Sequence, residues 1–164
     1  MATRKGEVAR ERRILDGLYG TPEFLIRRAH QIATAVFAEA CADLELTPSQ
    51  YAALYALREH APIGQNELGR VVALDRSTTS VVVRALRDRG LVRASADASD
   101  RRKSFLELTP PGRSLLTRAE RRSARSSEQL LSMFDRRQAT TLLGLLTTLT
   151  REMEARLGAP LVGD

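Results

Sequence analysis

From Asp75 to Gly112 the chain reads DRSTTSVVVRALRDRGLVRASADASDRRKSFLELTPPG, and this stretch decides the fold. Asp75 and Ser77 are candidate N-caps, because a short oxygen-bearing side chain can accept from the free N–H groups of a first helical turn. Val81, Val82, Ala85 and Leu86 recur behind them at helical spacing. Gly90 ends the helix, as a glycine just past the last turn commonly does. Leu91-Val92 and Phe105-Leu106-Glu107-Leu108 have strand length, and the Ala/Ser/Asp-rich loop between them closes on Arg101, Arg102 and Lys103. A helix with Ser77, Thr78, Thr79 and Ser80 at its start and Arg84 and Arg87 on later turns, followed by a basic hairpin, suits duplex DNA. Its first turn can approach base edges in the ~12 Å major groove, while the hairpin tip reaches phosphates or the minor groove.

The flanking sequence supplies the other helices. Thr21-Pro22 is a helix start, with proline at the first helical position, and the helix runs to about Ala42. Leu25, Ala29, Ile32, Val36 and Ala40 fall on one face, widened by Ile26, Ala33 and Phe37; other helices must cover so broad a stripe. A second helix spans about Pro48 to Glu59, a third Gln65 to Val71, and Val72-Ala73-Leu74 turns into the arginine-bearing helix. His60 sits where a helix C-terminus favours a cation. From Pro110 a long helix carries Arg113, Arg118, Arg121, Arg122 and Arg125 with few large apolar residues, which predicts an exposed bridge. Asp135 is a plausible cap for a last helix from about Arg136 to Leu157. That helix carries Leu142, Leu143, Leu145, Leu146, Leu149 and Met153, more than the rest of one chain can cover. Burial against a second copy is expected.

Asp97, Asp100, Arg101, Arg102 and Lys103, then Leu108-Thr109-Pro110-Pro111-Gly112, resemble the wing signature of the multiple-antibiotic-resistance regulator (MarR) family. Leu74 to Thr78 and Arg89 to Val92 are similar to that family's recognition helix and its exit. The resemblance covers about Pro22 to Leu157. It implies a mainly α fold with a small β-wing: a winged helix-turn-helix with a helical dimerisation region. Its boundaries would be a basic N-terminal arm at 1–20, a dimerisation region at 21–47 and 110–157, and a DNA-binding lobe at 48–109. It further implies that Ser77, Thr78, Thr79, Arg84, Arg87, Arg101, Arg102 and Lys103 meet DNA, and that Asp100 steadies Arg102 in the wing. Family members often carry arginine where Val81 and Ala85 stand and a small or acidic residue where Arg84 stands, so no operator sequence carries over.

Composition bounds the function. The chain has 164 residues, 43% of them hydrophobic, enough for one domain with a sizeable core. Net charge is +6, and between Arg76 and Lys103 eight basic residues face three aspartates, so most of the excess sits on the proposed reading head. A solvated basic surface is the plain alternative. One cysteine excludes an internal disulfide and fits a reducing cytoplasm. No apolar run approaches the ~18 residues of a membrane span, and no signal-peptide pattern is evident. An enzyme is disfavoured by two histidines thirty residues apart, with no glycine-rich phosphate loop, metal cluster or nucleophile motif; no cofactor is expected. A helical protein-binding adaptor is disfavoured by the hydroxyl-rich helix and the wing arginines.

Arg27, Arg28 and His30 border the apolar stripe of the first long helix and could receive a carboxylate or phenolate. A solvated edge, or ion pairs with Glu39, Asp43 or Glu45 of another subunit, is the alternative. The runs FLIRRAHQ at 24–31 and TPSQYAAL at 47–54 are similar to family members that sense aromatic acids or their coenzyme A thioesters. Tyr51 and Tyr55, one turn apart, would offer hydroxyls to such an effector or serve as core-edge tyrosines. Cys41 reads as a buried inert thiol rather than a redox sensor, since acidic neighbours raise its pKa. The resulting expectation is a homodimeric repressor that releases DNA on binding a small aromatic acid or its thioester. A redox-sensing or ligand-independent regulator is the alternative.

Overall fold

Polar residues set the start of nearly every helix. A computed structural model describes residues 17–96 and 104–157. The N-terminal arm before residue 17, the wing-tip candidates Asp97, Asp100, Arg101, Arg102 and Lys103, and the tail from 158 onward lie outside the described residues. Thr21 and Pro22 open α1 (Pro22–Ala40), which stops two residues short of the expected end because a 3-10 turn, Ala42–Leu44, takes over. Thr47 caps α2 (Pro48–His60) with a full capping box, its hydroxyl accepting from Gln50 N–H while Gln50 Oε1 accepts from Thr47 N–H. After β1 (Ile63–Gly64) come α3 (Gln65–Val71) and α4 (Arg76–Asp88), joined by a turn in which Ala73 is left-handed at φ 53°.

Gly90, at φ 67°, follows α4 in the left-handed region that a glycine takes without steric penalty. Leu91 N–H reaches Leu86 O at 2.9 Å and Gly90 N–H reaches Arg87 O at 2.8 Å, so two end carbonyls are satisfied and the chain reverses into β2 (Val92–Ala96). β3 (Ser104–Leu108) is the middle strand of a three-stranded antiparallel sheet of order β1-β3-β2. Ile63 and Ala94 both face Leu106, and Val92 faces Leu108. Thr109 caps α5 (Pro110–Leu131), and Asp135 caps α6 (Arg136–Leu157) through a second reciprocal pair with Gln138.

Leu54, Leu57, Leu68, Leu86 and Leu116 are fully buried and form the centre of one core with Ile63, Leu106 and Leu108 of the sheet. The middle of α5 is not the exposed bridge expected from its few large apolar residues. Gly112, Leu115, Leu116, Ala119 and Ser126 are buried along one stripe, and small side chains there let α1 and α2 approach closely. On α1 only Phe37 is buried; Leu25, Ile26 and Ile32 are exposed, as are Leu143, Leu145, Leu146 and Leu149 of α6. Among the described residues no helix is long and apolar enough to cross a membrane.

Candidate nucleic-acid interface

The first turn of α4 is organised by one carboxylate. Asp75 accepts from Thr78 N–H at 2.8 Å, from the Ser77 hydroxyl at 2.5 Å and from the Thr78 hydroxyl at 2.6 Å. Those hydroxyl bonds, the Ser77 one foremost, hold its carboxyl well below the usual carboxylate range. Asp75 alone is the N-cap; Ser77 lies inside the helix and serves the cap, which corrects its assignment as an alternative. A hydroxyl whose proton goes to Asp75 presents only lone pairs outward. In this state Ser77 and Thr78 offer outward only acceptor lone pairs.

Two expectations on this helix change. Thr79 is 2% exposed, with its hydroxyl donating to Asp75 O at 2.7 Å on a side that Gly69 leaves open, so it belongs to the helix-turn-helix interior and not to the reading face. Val81, counted in the apolar helical spacing, is 66% exposed, while Val83, left out of it, is buried. The buried positions 79, 82, 83 and 86 are spaced i, i+3, i+4, i+7. That period was present in the sequence and puts Val81 on the opposite face, with Ser77 and Arg84. An exposed valine beside hydroxyls and arginines can contact a thymine methyl.

The arginines divide by partner. Arg76, Arg84 and Arg87 are exposed and make no salt bridge among the described residues. Arg84 and Arg87, with Asp88, Val92, Arg93 and Ala94, line a cleft of about 490 Å³ between α4 and β2, open to an anionic group. Arg93 also donates to Glu107 at 3.0 Å across the strand pair, which lowers the Glu107 carboxyl. Arg89 instead donates to the backbone carbonyls of Glu45 and Leu44. Arg58 donates to Glu120 at 2.6 Å and Glu59 at 2.7 Å and stacks on Tyr55, tying α2 to α5. Asp43, a proposed intersubunit partner, is instead held within the chain by Arg122 at 2.9 Å.

The effector candidates do not all meet. Tyr51 and Tyr55, with ring centroids 6.3 Å apart, line a second cavity of about 460 Å³ with Ala52, Ala56, Glu59, His60, Val71 and Val72. Arg27, Arg28 and His30 are exposed on α1 and are not among its lining residues. Arg27 lies over the Phe24 ring at 4.9 Å, and Arg28 donates to Gln31. Cys41 is fully buried, and burial, then Asp43, pushes its thiol pKa up, opposite to what a reactive thiolate needs. No group of three or more metal-ligating side chains occurs among the described residues.

Known proteins align with this arrangement. The MarR family profile matches residues 46–104, from the end of the α1–α2 connection into β3. The HTH-type transcriptional repressor NicR of Pseudomonas putida is 44% identical over 92 residues, covering 56% of this chain and 58% of NicR. This chain thus spans a little over half the length of that relative. A probable transcriptional regulator from Pseudomonas aeruginosa has a solved structure with 38% identity and a TM-score of 0.76 over 80% of this chain and 98% of its own. BpsR of Bordetella bronchiseptica, whose DNA binding is regulated by 6-hydroxynicotinic acid, superposes with a TM-score of 0.74 at 28% identity, covering 79% and 93%. The repressor CouR, solved on a 23-mer DNA duplex, does so at 0.76 and 29%, covering 82% and 96%.

Proposed function

The chain belongs to the MarR family of transcriptional regulators, and from that premise we propose that it is a homodimeric, ligand-responsive repressor. It binds a pseudo-palindromic operator and releases it when a small aromatic acid or its coenzyme A thioester binds. The observation that carries the DNA reading is the outer face of α4, where Arg76, Arg84 and Arg87 stand without ion-pair partners among the described residues beside Ser77, Thr78 and Val81. Free arginines on a helix that fits the major groove supply both phosphate neutralisation and base contacts. Arg101, Arg102 and Lys103 extend that role to the wing, with Asp100 holding Arg102, as the family resemblance implies. A reducing cytoplasm is the compartment in which such a protein with a single buried thiol would work.

The effector half of the proposal is supported by the likeness to BpsR and by the cavity at Tyr51 and Tyr55, whose volume lies within the range of small-molecule sites. The rings of Tyr51 and Tyr55 offer stacking surface to an aromatic effector. Arg27, Arg28 and His30 remain candidates for its carboxylate only if another surface brings them to the ligand. A redox-sensing alternative finds no support in a Cys41 thiol that burial keeps protonated.

The experiment has two stages. Binding to a labelled random-sequence duplex is followed over a salt series, and a steep fall of affinity with salt is expected. Benzoate-, salicylate-, hydroxycinnamate- and hydroxynicotinate-like acids, with thioesters of the same acyl groups, are then titrated against the complex with a duplex enriched by the protein. Release by one of these in the wild type, lost in Tyr55→Ala protein that still binds the duplex, supports the cavity. Loss in Arg27→Ala or Arg28→Ala instead moves the ligand to α1. No release by any of them removes the effector half and leaves a ligand-independent regulator.

A further inference from the structure

Arg89 is the C-cap residue of α4, and its guanidinium is held by a distant part of the chain. One amino group donates to Glu45 O at 2.7 Å and the other to Leu44 O at 2.9 Å. A planar fork bonded to two successive carbonyls fixes orientation as well as distance. The corner it grips is itself anchored. Glu45 is left-handed at φ 50°, and Cys41, Leu44 and Leu46 are buried. Asp43 accepts from Arg122 at 2.9 Å and lies 3.7 Å from Arg118, both on α5.

We infer that Arg89 is a positioning residue for DNA recognition, setting the pose of α4 against the α1–α5 layer through the 43–45 corner, and that it neutralises no phosphate. The inference rests on the DNA-binding reading above. Its lever is length: α4 has 13 residues and spans about 20 Å. A tilt of about 5° at the clamped end therefore moves the reading turn by nearly 2 Å, more than a hydrogen bond to a base edge tolerates. Sequence alone would count Arg89 with Arg84 and Arg87 as one more phosphate binder; the hydrogen bonds separate them.

The test compares log affinity against log salt for wild type, Arg89→Ala, Arg89→Gln, Arg89→Lys and Arg84→Ala on one duplex enriched by the wild type. The active fraction is fixed by stoichiometric titration, so that loss of folded protein is not read as weaker binding. Arg89→Ala should bind about ten-fold more weakly, the size of one lost base contact, with the wild-type salt slope. Arg84→Ala should lose about 0.9 from the slope's magnitude. Arg89→Lys should recover affinity, because an ammonium can still donate to these carbonyls. Should Arg89→Ala not fold, Arg89→Gln decides, since its amide donates to a carbonyl without carrying charge. A slope reduced by about 0.9 in either neutral variant makes Arg89 a phosphate contact and overturns the inference. Unchanged affinity in folded Arg89→Ala protein, which has no donor left for the two carbonyls, overturns it as well. If the wild type itself shows no salt-dependent duplex binding, the DNA reading falls and takes this inference with it; steep wild-type binding with a shifted Arg89 slope sinks the inference alone.

Discussion

At the scale of single residues, Asp75 and Gly112 each do something that their neighbours cannot. Asp75 collects one backbone and two hydroxyl donors, and all of them favour its charged form. Its folded-state pKa therefore lies below the ordinary 3.8, so its contribution to stability is present above that value and is lost as pH falls through the folded one. Carboxyl carbon NMR during acid titration should show Asp75 still ionised at pH 3.8, and Ser77→Ala should raise its midpoint. A midpoint at the ordinary value in the wild type would refute the three-donor cap. Gly112 sits under the turn leaving Leu91, where a β-carbon would collide with the Leu91 carbonyl oxygen. The same crossing is tied by the Thr109 hydroxyl, which donates to Gly90 O at 2.7 Å while accepting from Gly112 N–H. Gly112→Ala should accordingly lose roughly 1–3 kcal/mol in urea unfolding, as overpacking does. An unchanged midpoint would show that α5 does not dock there as tightly as described.

At the scale of elements, α4 shows what the sequence discloses and what it withholds. Its limits were legible because Asp75 and Gly90 are chemically marked, and β3 was legible because Phe105-Leu106-Glu107-Leu108 has strand length between a charged loop and a Thr-Pro-Pro helix start. Which face of α4 turns inward was also written, in the period of Thr79, Val82, Val83 and Leu86, but a run of four hydroxyl residues masked it. Thr79→Val should therefore lower stability by about 1 kcal/mol, the net worth of a buried hydrogen bond, and leave base preference alone. Val81→Ala should do the reverse, weakening preference at one base pair of each half-site without shifting the unfolding midpoint. Selection from randomised duplexes beside thermal melts separates the two; a changed base preference in Thr79→Val would return Thr79 to the reading face. The packing of α5 was illegible to a search for large apolar side chains, since Ala119 and Ser126 act through being small. The partners of Arg89 were illegible in principle, because backbone carbonyls 44 and 45 residues away leave no side-chain signature.

At the scale of the whole molecule, the apolar surface left over is the informative quantity. Leu25, Ile26 and Ile32 of α1 and Leu143, Leu145, Leu146 and Leu149 of α6 are all more than two-fifths exposed, with Leu145 at 64%. Large apolar side chains left exposed in such number on two helices mark an interaction surface. A second copy is the occupant that the leucine content of the last helix predicts, and a stable pairing needs on the order of 1,200 Å² or more of buried surface. Two-fold pairing would place two copies of α4 side by side and match half-sites about one helical turn, ~34 Å, apart. Leu146→Arg puts a charge into that contact without touching α4, β2 or the core around Leu54. It should sediment as a monomer at micromolar concentration where the wild type is a dimer. Because a monomer reaches one half-site, the salt slope of its duplex binding should fall to about half the wild-type magnitude, each lost phosphate contact removing about 0.9. The wild type running as a monomer at that concentration would refute the pairing. A dimeric Leu146→Arg protein with the full slope would move the interface off α6 and leave its leucines to be covered by another partner.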